Sequence, residues 1–371
     1  MKIVYVYPTV ATKGGVERIL VDKMNLLAHA DGHQVYLLTY NQGAHPVSFA
    51  LDGNVHHIDL DIRLHVQYQY RGLRRQWEGW KRKCKLLKSL KQSLKVIAPD
   101  VIVTTTTGEL SLLLRLKGKT PLVVESHGGY DHLIDFPSMN WLHRRDIRCR
   151  YQLLKNVDSI VSLTESDAQK WRVSYPQVRV IPNVVHLNPL GRYSEQILRH
   201  IIFVGRLAEQ KGVADLIASW RIIHQRCPGW QLDIYGEGGE QESECRGVEG
   251  VNVFPPVANI FSKYCESSIL LLTSKWEPFG LVIPEAMSCG LPVVSFEGDG
   301  PCSIITDGVD GFLVKDRDIQ VFADRVCQLI EDESLRKQMG RQAIESAQRY
   351  SADRVMPQWK QLFESLSTTT S

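Results

Sequence analysis

Short apolar runs rich in β-branched residues alternate with amphipathic stretches along the whole chain. In the first half the runs are KIVYVYP (2–8), QVYLLTY (34–40), VIVTTT (101–106), PLVVESH (121–127) and SIVSLT (159–164). In the second half they are HIIFVGR (200–206), QLDIYGEG (231–238), VNVFPPV (251–257), ILLLTS (269–274), LPVVSF (291–296) and GFLVK (311–315). Strands that alternate with helices predict right-handed βαβ units and parallel sheets covered on both faces. The sequence therefore predicts an α/β fold.

The pattern breaks at residues 180–200, VIPNVVHLNPLGRYSEQILRH, where Pro, Asn and Gly are mixed with polar residues. A chain of 371 residues is long enough for two domains of roughly 150 residues each. We place the first domain at 1–186 and the second at 187–351. We expect a doubly wound sheet in each, with ligands at the strand carboxyl ends, in a cleft where the two sheets face each other. The tail, 352–371, has apolar residues at helical spacing and predicts one more amphipathic helix.

The composition is that of a soluble globular protein, with 43% hydrophobic and 23% charged residues. No apolar run of about eighteen residues occurs and the N-terminal MKIVYVYPTV lacks a signal-peptide pattern, so we expect a cytoplasmic protein. The eight cysteines are scattered without metal-ligand spacing, which indicates free thiols and no metal site. The net charge of +3 is too small to indicate a nucleic-acid partner.

A strongly basic stretch runs from Arg71 to Lys95, where Glu78 is the only acid among ten basic residues. Trp80, Leu87, Leu90 and Leu94 fall loosely at helical spacing and predict an apolar helix face. One interpretation is a solvated helix packed on a sheet. The other is a surface that lies on an anionic membrane or grips an acidic, lipid-linked acceptor. Nucleic acid is disfavoured because no nucleic-acid motif accompanies the stretch.

Two motifs in the first half follow predicted strands. Gly14 and Gly15 precede an amphipathic helix, where a ligand can approach the backbone closely and the helix start favours anions. The pair lacks the G-x-G-x-x-G pattern, and a simple tight turn explains it equally well. His127 follows the run PLVVES and precedes two glycines, so its side chain is expected at the carboxyl edge of the sheet. A purely structural histidine is an equal alternative there.

Two motifs in the second half also follow strands. Arg206 comes just after HIIFVG and Lys211 just before a helix, and two cations in such a loop predict a pocket for phosphate or pyrophosphate. An ordinary surface pair is the alternative. Gly236, after QLDIY, marks a further point where backbone can approach a ligand closely.

Two glutamates, Glu277 and Glu285, stand in KWEPFGLVIPEAMSCGLPVV, which predicts a loop at Lys275–Gly280 and then a helix. Glycoside hydrolysis needs two carboxylates about 5 to 10 Å apart. Eight helical positions would separate the Cα atoms by roughly 12 Å and rotate them by about 80°. The pair is therefore better suited to hold hydroxyls at two ends of an extended ligand that is negative in the middle, such as a sugar nucleotide.

These motifs together resemble the family 4 retaining glycosyltransferases of the GT-B fold. The resemblance rests on GGVERILVDKMNLLAHADGHQV, SHGG, IPNVV, FVGRLAEQKG, EPFGLVIPEAMSCGLPVV and ITDGVDGFLV, which occur in this order over nearly the whole chain. It implies two Rossmann-like domains, with a C-terminal helix, 352–371, that crosses back to the N-terminal domain. It also implies transfer of a sugar from a nucleotide-sugar donor, bound by the second domain, to an acceptor, bound by the first. Retention at the anomeric carbon and independence of a metal ion follow from the same resemblance.

The resemblance also implies roles for individual residues. Glu277 would hold donor-sugar hydroxyls and Glu285 the ribose hydroxyls, while Arg206 and Lys211 would bind the phosphates. The backbone at Phe279, Gly280 and Leu281 would surround phosphate and sugar. His127 would lie near the donor sugar, and Gly14 with Gly15 would form the family's glycine-rich loop. Where the family often has Gly-x-Val near the base, this chain has FPPV (254–257), which leaves uracil or guanine open.

The resulting hypothesis is a hexosyl- or N-acetylhexosaminyl-transferase of cell-surface polysaccharide synthesis that uses a UDP-sugar by preference, or a GDP-sugar, and no cofactor. The basic stretch Arg71–Lys95 lies in the acceptor domain. It favours a glycan or lipid-linked acceptor and peripheral contact with the inner face of the membrane. A sugar-nucleotide epimerase of the same fold and an NAD(P)-dependent oxidoreductase remain as alternatives.

Overall fold

A computed structural model describes residues 1–29, 32–106, 109–131, 141–238 and 241–368. The chain divides into two compact units. The first unit is Met1–Val184 together with Val355–Ser371, and the second unit is Val185–Arg354.

The first unit contains a seven-stranded parallel sheet with the order β3-β2-β1-β4-β5-β6-β7. Its strands are β1 (Lys2–Tyr7), β2 (Gln34–Thr39), β3 (Val55–Asp59), β4 (Val101–Thr105), β5 (Leu122–Glu125), β6 (Ser159–Ser162) and β7 (Val178–Val180). β4, β5 and β6 are buried at every position, which explains why they appear in the sequence as continuous apolar runs. The sequence did not predict β3 and β7. They are the two edge strands, partly exposed, and so lack such a run.

In the described part of this unit the sheet is accompanied by the helices α1 (Gly15–Ala28), α2 (Gly72–Ile97), α3 (Leu110–Leu116), α4 (Trp141–Leu154) and α5 (Glu165–Arg172). The two halves of α2 differ. Leu86, Leu90, Leu94 and Ile97 of its second half are buried in the core of the unit. Trp80, which the sequence placed on the same apolar face, is 59% exposed. Gly79 is the only buried residue in the first half of α2, so the packed interpretation applies to the second half, and the interpretation of the first half as a membrane or acceptor surface stays a prediction.

The second unit contains a six-stranded parallel sheet with the order β10-β9-β8-β11-β12-β13. Its strands are β8 (His200–Val204), β9 (Gln231–Tyr235), β10 (Val251–Phe254), β11 (Ile269–Leu272), β12 (Val293–Phe296) and β13 (Gly311–Val314), all within predicted runs. Its helices are α6 (Val213–Arg226), α7 (Glu242–Cys245), α8 (Ile260–Cys265), α9 (Val282–Ser288), α10 (Asp299–Ile304), α11 (Ile319–Glu331) and α12 (Glu333–Ala347). Aromatic side chains such as Phe203, Trp220 and Phe322 fill the core between sheet and helices.

The last helix, α13 (Ala352–Thr368), returns the chain to the first unit from Val355 onwards. Its Val355, Trp359, Leu362 and Phe363 are buried, as its helical pattern predicted. The ring of Trp359 lies 3.8 Å from Nζ of Lys23 on α1. The predicted fold class, with two Rossmann-like sheets and a C-terminal helix that crosses back, is thereby confirmed. Within the described ranges, no helix is both long and apolar enough to span a bilayer.

Candidate functional site

Two loops meet at the carboxyl edge of the second sheet because β8 and β11 are neighbours in it. The backbone N–H of Lys275 donates to the carbonyl of Gln210 at 2.7 Å. Oγ1 of Thr273 donates to the carbonyl of Lys211 at 3.0 Å. The strand carboxyl ends are where ligands of doubly wound sheets bind. These bonds therefore fix the geometry of the loops at a candidate ligand site.

The centre of this edge is an ion pair between Lys211 and Glu277. Nζ of Lys211 lies 2.5 Å from Oε2 of Glu277, and Oγ of Ser274 donates to the same oxygen at 3.2 Å. The two charged side chains are 17% and 12% exposed. Their remaining exposed surface allows a ligand to reach both, while partial burial strengthens their charge interactions relative to bulk water.

Arg206 lies one residue beyond the glycine that follows β8, and its side chain is exposed. Among the described residues, its guanidinium has no hydrogen bond and no ion pair. An exposed guanidinium with five donors is suited to bidentate binding of a phosphate group. Its position near Lys211, at the same strand end, agrees with the phosphate pocket that the sequence predicted.

Gly236 is explained by packing between neighbouring strand ends. A Cβ atom at this position would collide with the carbonyl oxygen of Gly205, which follows β8. The N–H of Gly205 donates to the carbonyl of Tyr235 at 3.1 Å. A ligand contact at Gly236 stays a prediction.

The loop that carries Glu277 also packs against the start of α10. Gly280 has a φ of +88°, a conformation that favours glycine. The N–H of Gly300 donates to the carbonyl of Glu277 at 2.9 Å. A Cβ at Gly300 would lie 2.5 Å from that carbonyl oxygen and would collide with the carbonyl oxygen of Phe279. Gly300 therefore holds the Glu277 loop by close backbone approach.

The second glutamate, Glu285, lies on α9 and is only 3% exposed. The hydroxyl of the buried Tyr264 lies 3.5 Å from its Oε2. Phe279 is also buried, with its ring edge-on to Tyr350 at 5.3 Å between centroids. Because the Phe279 side chain is used in packing, only its backbone is available to a ligand. Leu281, half-buried, immediately precedes α9.

Arg317 supports the strand end that leads to Glu277. Its guanidinium donates to the carbonyl oxygens of Thr273 at 2.8 Å and Ser274 at 2.9 Å. It also binds the carboxylate of Asp215 on α6, with 3.1 Å from Nε to Oδ2. The Arg317 guanidinium thus connects the backbone after β11, just before the Glu277 loop, to the neighbouring helix α6.

In the first unit, Gly14 caps α1 with extended backbone, and Gly15 is the first helical residue. A Cβ at Gly14 would collide with the carboxylate of Glu17, whose Oε1 accepts a bond from the hydroxyl of Tyr7 at 3.1 Å. Apart from its chain neighbours and the backbone of its own helix, no atom of the described residues lies within 4 Å of a Cβ at Gly15. The helix start is therefore open at Gly15, but Gly14 already has an acidic side chain against it.

His127 is part of a buried cluster of three ionisable groups. Its Nε2 lies 3.1 Å from Oε2 of Glu125, the last residue of β5. The other oxygen of Glu125 accepts a very short bond from Nζ of Lys23 on α1. Burial lowers the pKa of Lys23, although Glu125 opposes this effect. Burial alone would raise the pKa of Glu125, but Lys23 and His127 outweigh it and hold that pKa below its ordinary value.

Among the described residues, no three or more His, Cys, Asp or Glu side chains form a metal-binding arrangement. Metal independence stays a prediction.

Comparison with known protein families decides the identity of the chain. Residues 13–188 match the family model described as Glycosyltransferase Family 4. Residues 199–332 match the model described as Glycosyl transferases group 1. The two matches together cover most of both units. The chain belongs to the family 4 glycosyltransferases.

Curated relatives of this glycosyltransferase come from several bacteria. An uncharacterized glycosyltransferase of Haemophilus influenzae is 26% identical over 97% of this chain and 99% of its own length. The amylovoran biosynthesis glycosyltransferase AmsD of Erwinia amylovora is 26% identical over 71% of this chain and 77% of its own. An exopolysaccharide phosphotransferase of Streptomyces coelicolor is 27% identical over 75% of this chain, but the match spans only 30% of that relative's length.

Solved structures share the fold over the full length of the glycosyltransferase. Sucrose-phosphate synthase of Thermosynechococcus elongatus superposes with a TM-score of 0.78 at 18% identity, with 100% of both chains covered. HepE of Anabaena, solved in complex with UDP, superposes with a TM-score of 0.74 at 19% identity, over 98% of this chain and 100% of its own. At these identities the likeness confirms the GT-B fold and no more.

The structure of this glycosyltransferase brings Lys211 and Glu277 into direct contact, with Arg206 at the end of the same strand. It places His127 in the first unit against Glu125, which in turn bonds to Lys23, and the sequence indicated neither contact. Arg317 and Gly300 are further residues that the sequence analysis missed. Arg317 stands in VKDRD, which resembles an ordinary surface turn. Glu125 stands inside the run VVESH, where a carboxylate in a buried strand was a signal that could have been used.

Proposed function

We propose that this family member is a retaining glycosyltransferase that moves a hexosyl or N-acetylhexosaminyl group from a nucleotide-diphosphate sugar to a glycan or lipid-linked acceptor. The observation that carries the proposal is the Lys211–Glu277 pair at the carboxyl edge of the second sheet, with the unpaired Arg206 at the same strand end. This arrangement offers two cations for a pyrophosphate and one carboxylate for sugar hydroxyls within a single site.

In the proposed reaction the acceptor hydroxyl attacks the anomeric carbon from the face that the leaving group departs. The new bond joins the acceptor oxygen to that carbon, and the bond from the carbon to the phosphate oxygen breaks. The departing phosphate oxygen keeps the electron pair and takes the hydroxyl proton, so no protein nucleophile is needed. Arg206 and Lys211 stabilise the negative charge that develops on the nucleoside diphosphate, in the role that a metal ion has elsewhere.

Glu277 is suited to the donor sugar because its carboxylate is a hydrogen-bond acceptor fixed by Lys211 and Ser274. We assign Glu285 to the ribose hydroxyls. The assignment agrees with the position of Glu285 in the first turn of α9, beside the hydroxyl of the buried Tyr264. His127 is assigned to the donor sugar, and the backbone of Phe279, Gly280 and Leu281 to phosphate and sugar.

A UDP-sugar is the preferred donor, with a GDP-sugar as the second choice. HepE, whose fold this chain shares, binds UDP in its solved structure. The names of the Erwinia and Streptomyces relatives refer to amylovoran and to exopolysaccharide, which supports a role in cell-surface polysaccharide synthesis. The family matches support neither an epimerase nor an NAD(P)-dependent oxidoreductase.

The test is a panel of UDP- and GDP-sugars, read first by thermal stabilisation of the protein and then by slow donor hydrolysis. We expect one nucleotide sugar to raise the melting temperature of the protein and to be hydrolysed. Activity should be unchanged in EDTA. The product of an α-linked donor should have the α configuration by NMR. Inversion, or a strict need for a divalent ion, would contradict the mechanism. A covalent sugar adduct on Glu277 would replace it with a double displacement. Production of an epimer from donor alone, or binding of NAD(P)H, would support the two alternatives.

We further propose that the first half of α2 contacts the anionic inner face of the membrane, where a cytoplasmic enzyme would meet a lipid-linked acceptor. Leu73, Trp77 and Trp80 are 83%, 61% and 59% exposed and follow one another at helical spacing on one face. The two tryptophan rings stack at 5.2 Å. Arg74 and Arg75 flank this face and are packed over Tyr70 and Tyr68. Exposed aromatic residues among cations are typical of surfaces that insert at a bilayer interface.

Sedimentation with vesicles tests this surface. The wild type should bind vesicles with phosphatidylglycerol more strongly than pure phosphatidylcholine, and less strongly at high salt. W77S/W80S should reduce binding at least tenfold. The matched control is V173S, since Val173 is a single apolar residue that is 84% exposed in the same unit. Equal binding of W77S/W80S and wild type would refute the membrane contact without affecting the transferase proposal.

A further inference from the structure

We propose that Lys23 and Glu125 are positioning residues that hold the His127 imidazole neutral, with its single proton on Nε2, so that Nδ1 is left as a hydrogen-bond acceptor. The inference rests on the proposed function only in naming the donor to Nδ1, which we take to be a sugar hydroxyl.

The position of the proton follows from the bonds of Glu125. Its Oε1 accepts from the Lys23 ammonium and its Oε2 faces Nε2 of His127 at 3.1 Å. An ionised carboxylate can only accept hydrogen bonds, so Nε2 must carry the hydrogen. Because Glu125 ends β5 and Lys23 lies on α1, both partners are fixed on regular elements of one unit. The Glu125 carboxylate that orients the His127 ring is thereby itself held by a second element, α1.

The charge of the ring follows from the charge of the cluster. The Lys23, Glu125 and His127 side chains are 3%, 2% and 7% exposed. A buried carboxylate requires one cation, and Lys23 already supplies it. A second proton on His127 would leave a net positive charge in this buried place, which is costly. Because Lys23 already balances the charge of Glu125, the carboxylate does not need a protonated imidazole as its counterion.

Two uncharged aromatic side chains of the described residues lie against Lys23. Tyr5 of β1 faces Lys23, with its ring centre 5.4 Å from Nζ. Burial, and then Glu125, raise the pKa of this phenol well above its ordinary value, so it keeps its proton. On the remaining side, the Trp359 ring of α13 lies 3.8 Å from Nζ, where it stabilises the ammonium without adding a charge.

The second ring nitrogen of His127, Nδ1, is evidence for a bound ligand. Nδ1 of His127 is buried and has no hydrogen-bond partner among the described residues. An N–H at that position would be left without an acceptor, whereas a lone pair there is cheaper to leave unsatisfied. Because Nδ1 has no exposed surface, contact with a ligand hydroxyl would require the surrounding side chains to move. From the sequence, a structural role and a ligand-binding role for His127 were equal alternatives. The unsatisfied Nδ1 favours the ligand-binding role.

The first test observes the histidines of the wild type, with one variant used for assignment. Long-range ¹H–¹⁵N spectra report the protonation and tautomer of each of the 12 histidines, with His127 assigned from the spectrum of H127N. We expect a neutral ring with hydrogen on Nε2 at pH 7. A doubly protonated ring, or hydrogen on Nδ1, would overturn the proposal without any activity measurement.

The second test removes the lysine charge. In K23M the buried carboxylate loses its cation, and we expect His127 to become doubly protonated at pH 7 as its replacement. If K23M does not fold, K23M/E125Q removes both charges; there His127 should stay neutral and lose its single tautomer. The control is K117M, which breaks the 2.9 Å pair of Lys117 with Asp158 in the same unit and should leave the His127 signals unchanged. A His127 signal unaffected by K23M would refute the role of Lys23.

Kinetics then separate positioning from stability. For the donor found in the panel, K23M should lower kcat about tenfold, the value of one hydrogen bond, and K23R should restore most of it. A structural role alone would lower the melting temperature and leave kcat per folded molecule unchanged. If the spectra agree and no sugar nucleotide is ever turned over, the proposed function fails while the assignment of the imidazole stands.

Discussion

The ammonium of Lys211 lies 2.5 Å from the carboxylate of Glu277, although 66 residues separate them in the chain. The pair forms because β8 and β11 are neighbours, which brings the loops that follow them to one edge of the second sheet. In the proposed reaction Lys211 has two functions, since it balances the leaving phosphate and fixes the group that holds the sugar. Arg206 has only the first function.

A double-mutant cycle should show coupling between Lys211 and Glu277. We expect K211M and E277Q each to lower kcat/KM by roughly 100-fold or more. In the double variant, kcat/KM should fall by less than the product of the two single factors, because each change also removes the partner of the other side chain. The expected coupling energy is about 1 to 3 kcal/mol.

Arg206 provides the internal control for that cycle. R206M should lower kcat because it removes transition-state stabilisation, by about 3 kcal/mol at most. Its effect on the activation free energy should add to that of E277Q. If R206M changed only the affinity for the donor, Arg206 would be a ground-state anchor rather than a stabiliser of the leaving group.

The Gly300 contact predicts a sharp difference between two nearby glycines. In G300A the new Cβ collides with the backbone of Phe279, so the Glu277 loop must move. We expect a loss of about 1 to 3 kcal/mol in the free energy of unfolding, measured in urea, and a higher KM for the donor. G298A is the matched control. Gly298 has a φ of 178°, and its Cβ would meet only Pro301, at 3.6 Å. Equal effects of the two changes would show that Gly300 does not support the site.

Arg317 should matter through geometry rather than charge. R317K keeps the charge but cannot reproduce the fork that joins Thr273, Ser274 and Asp215. We expect kcat/KM to fall about tenfold, together with a loss of about 1 to 3 kcal/mol of stability. R325K is the comparison, since the exposed Arg325 packs over Phe312 at 4.8 Å, and it should have little effect on either quantity. Wild-type kcat/KM in R317K would mean that Arg317 has no part in positioning Glu277.

The Lys23–Glu125 pair predicts a component of acid sensitivity. Its partners hold the pKa of Glu125 below the ordinary 4.5, so the folded state binds this proton less readily than the unfolded state. The resulting stability is present above about pH 4.5 and is lost as the pH falls through the folded value, at no more than about 1.4 kcal/mol per pH unit. Urea unfolding between pH 6 and pH 3 should therefore show a shallower fall in E125Q.

Two features make this test specific. At neutral pH, E125Q itself should be less stable by about 3 to 5 kcal/mol, since the change leaves Lys23 buried without its counterion. E249Q removes a carboxylate that is 92% exposed and should leave the pH slope unchanged. A slope in E125Q as steep as that of the wild type would show that Glu125 does not titrate as the structure indicates.

The chain itself specified most of the fold, for a physical reason. Strands of a parallel sheet are buried on both faces, so β1, β4 and β11 appear as continuous apolar runs, and their turns carry Gly and charged residues. The same order of motifs identified the family. The edge strands β3 and β7 were missed because partial exposure relaxes the demand for apolar residues. Helical spacing placed Trp80 on the apolar face of α2, but spacing alone does not show whether such a face is buried, and Trp80 is exposed.

Only the tertiary structure decided which charges meet. Strand order is set by pairing between distant segments, and it brings together Lys211 with Glu277 and Lys23 with Glu125, which lie 66 and 102 residues apart. Local sequence places each of these residues at a strand end or on a helix face. It does not determine the partner, because the energy of a buried charge depends on a neighbour that only the folded sheet supplies.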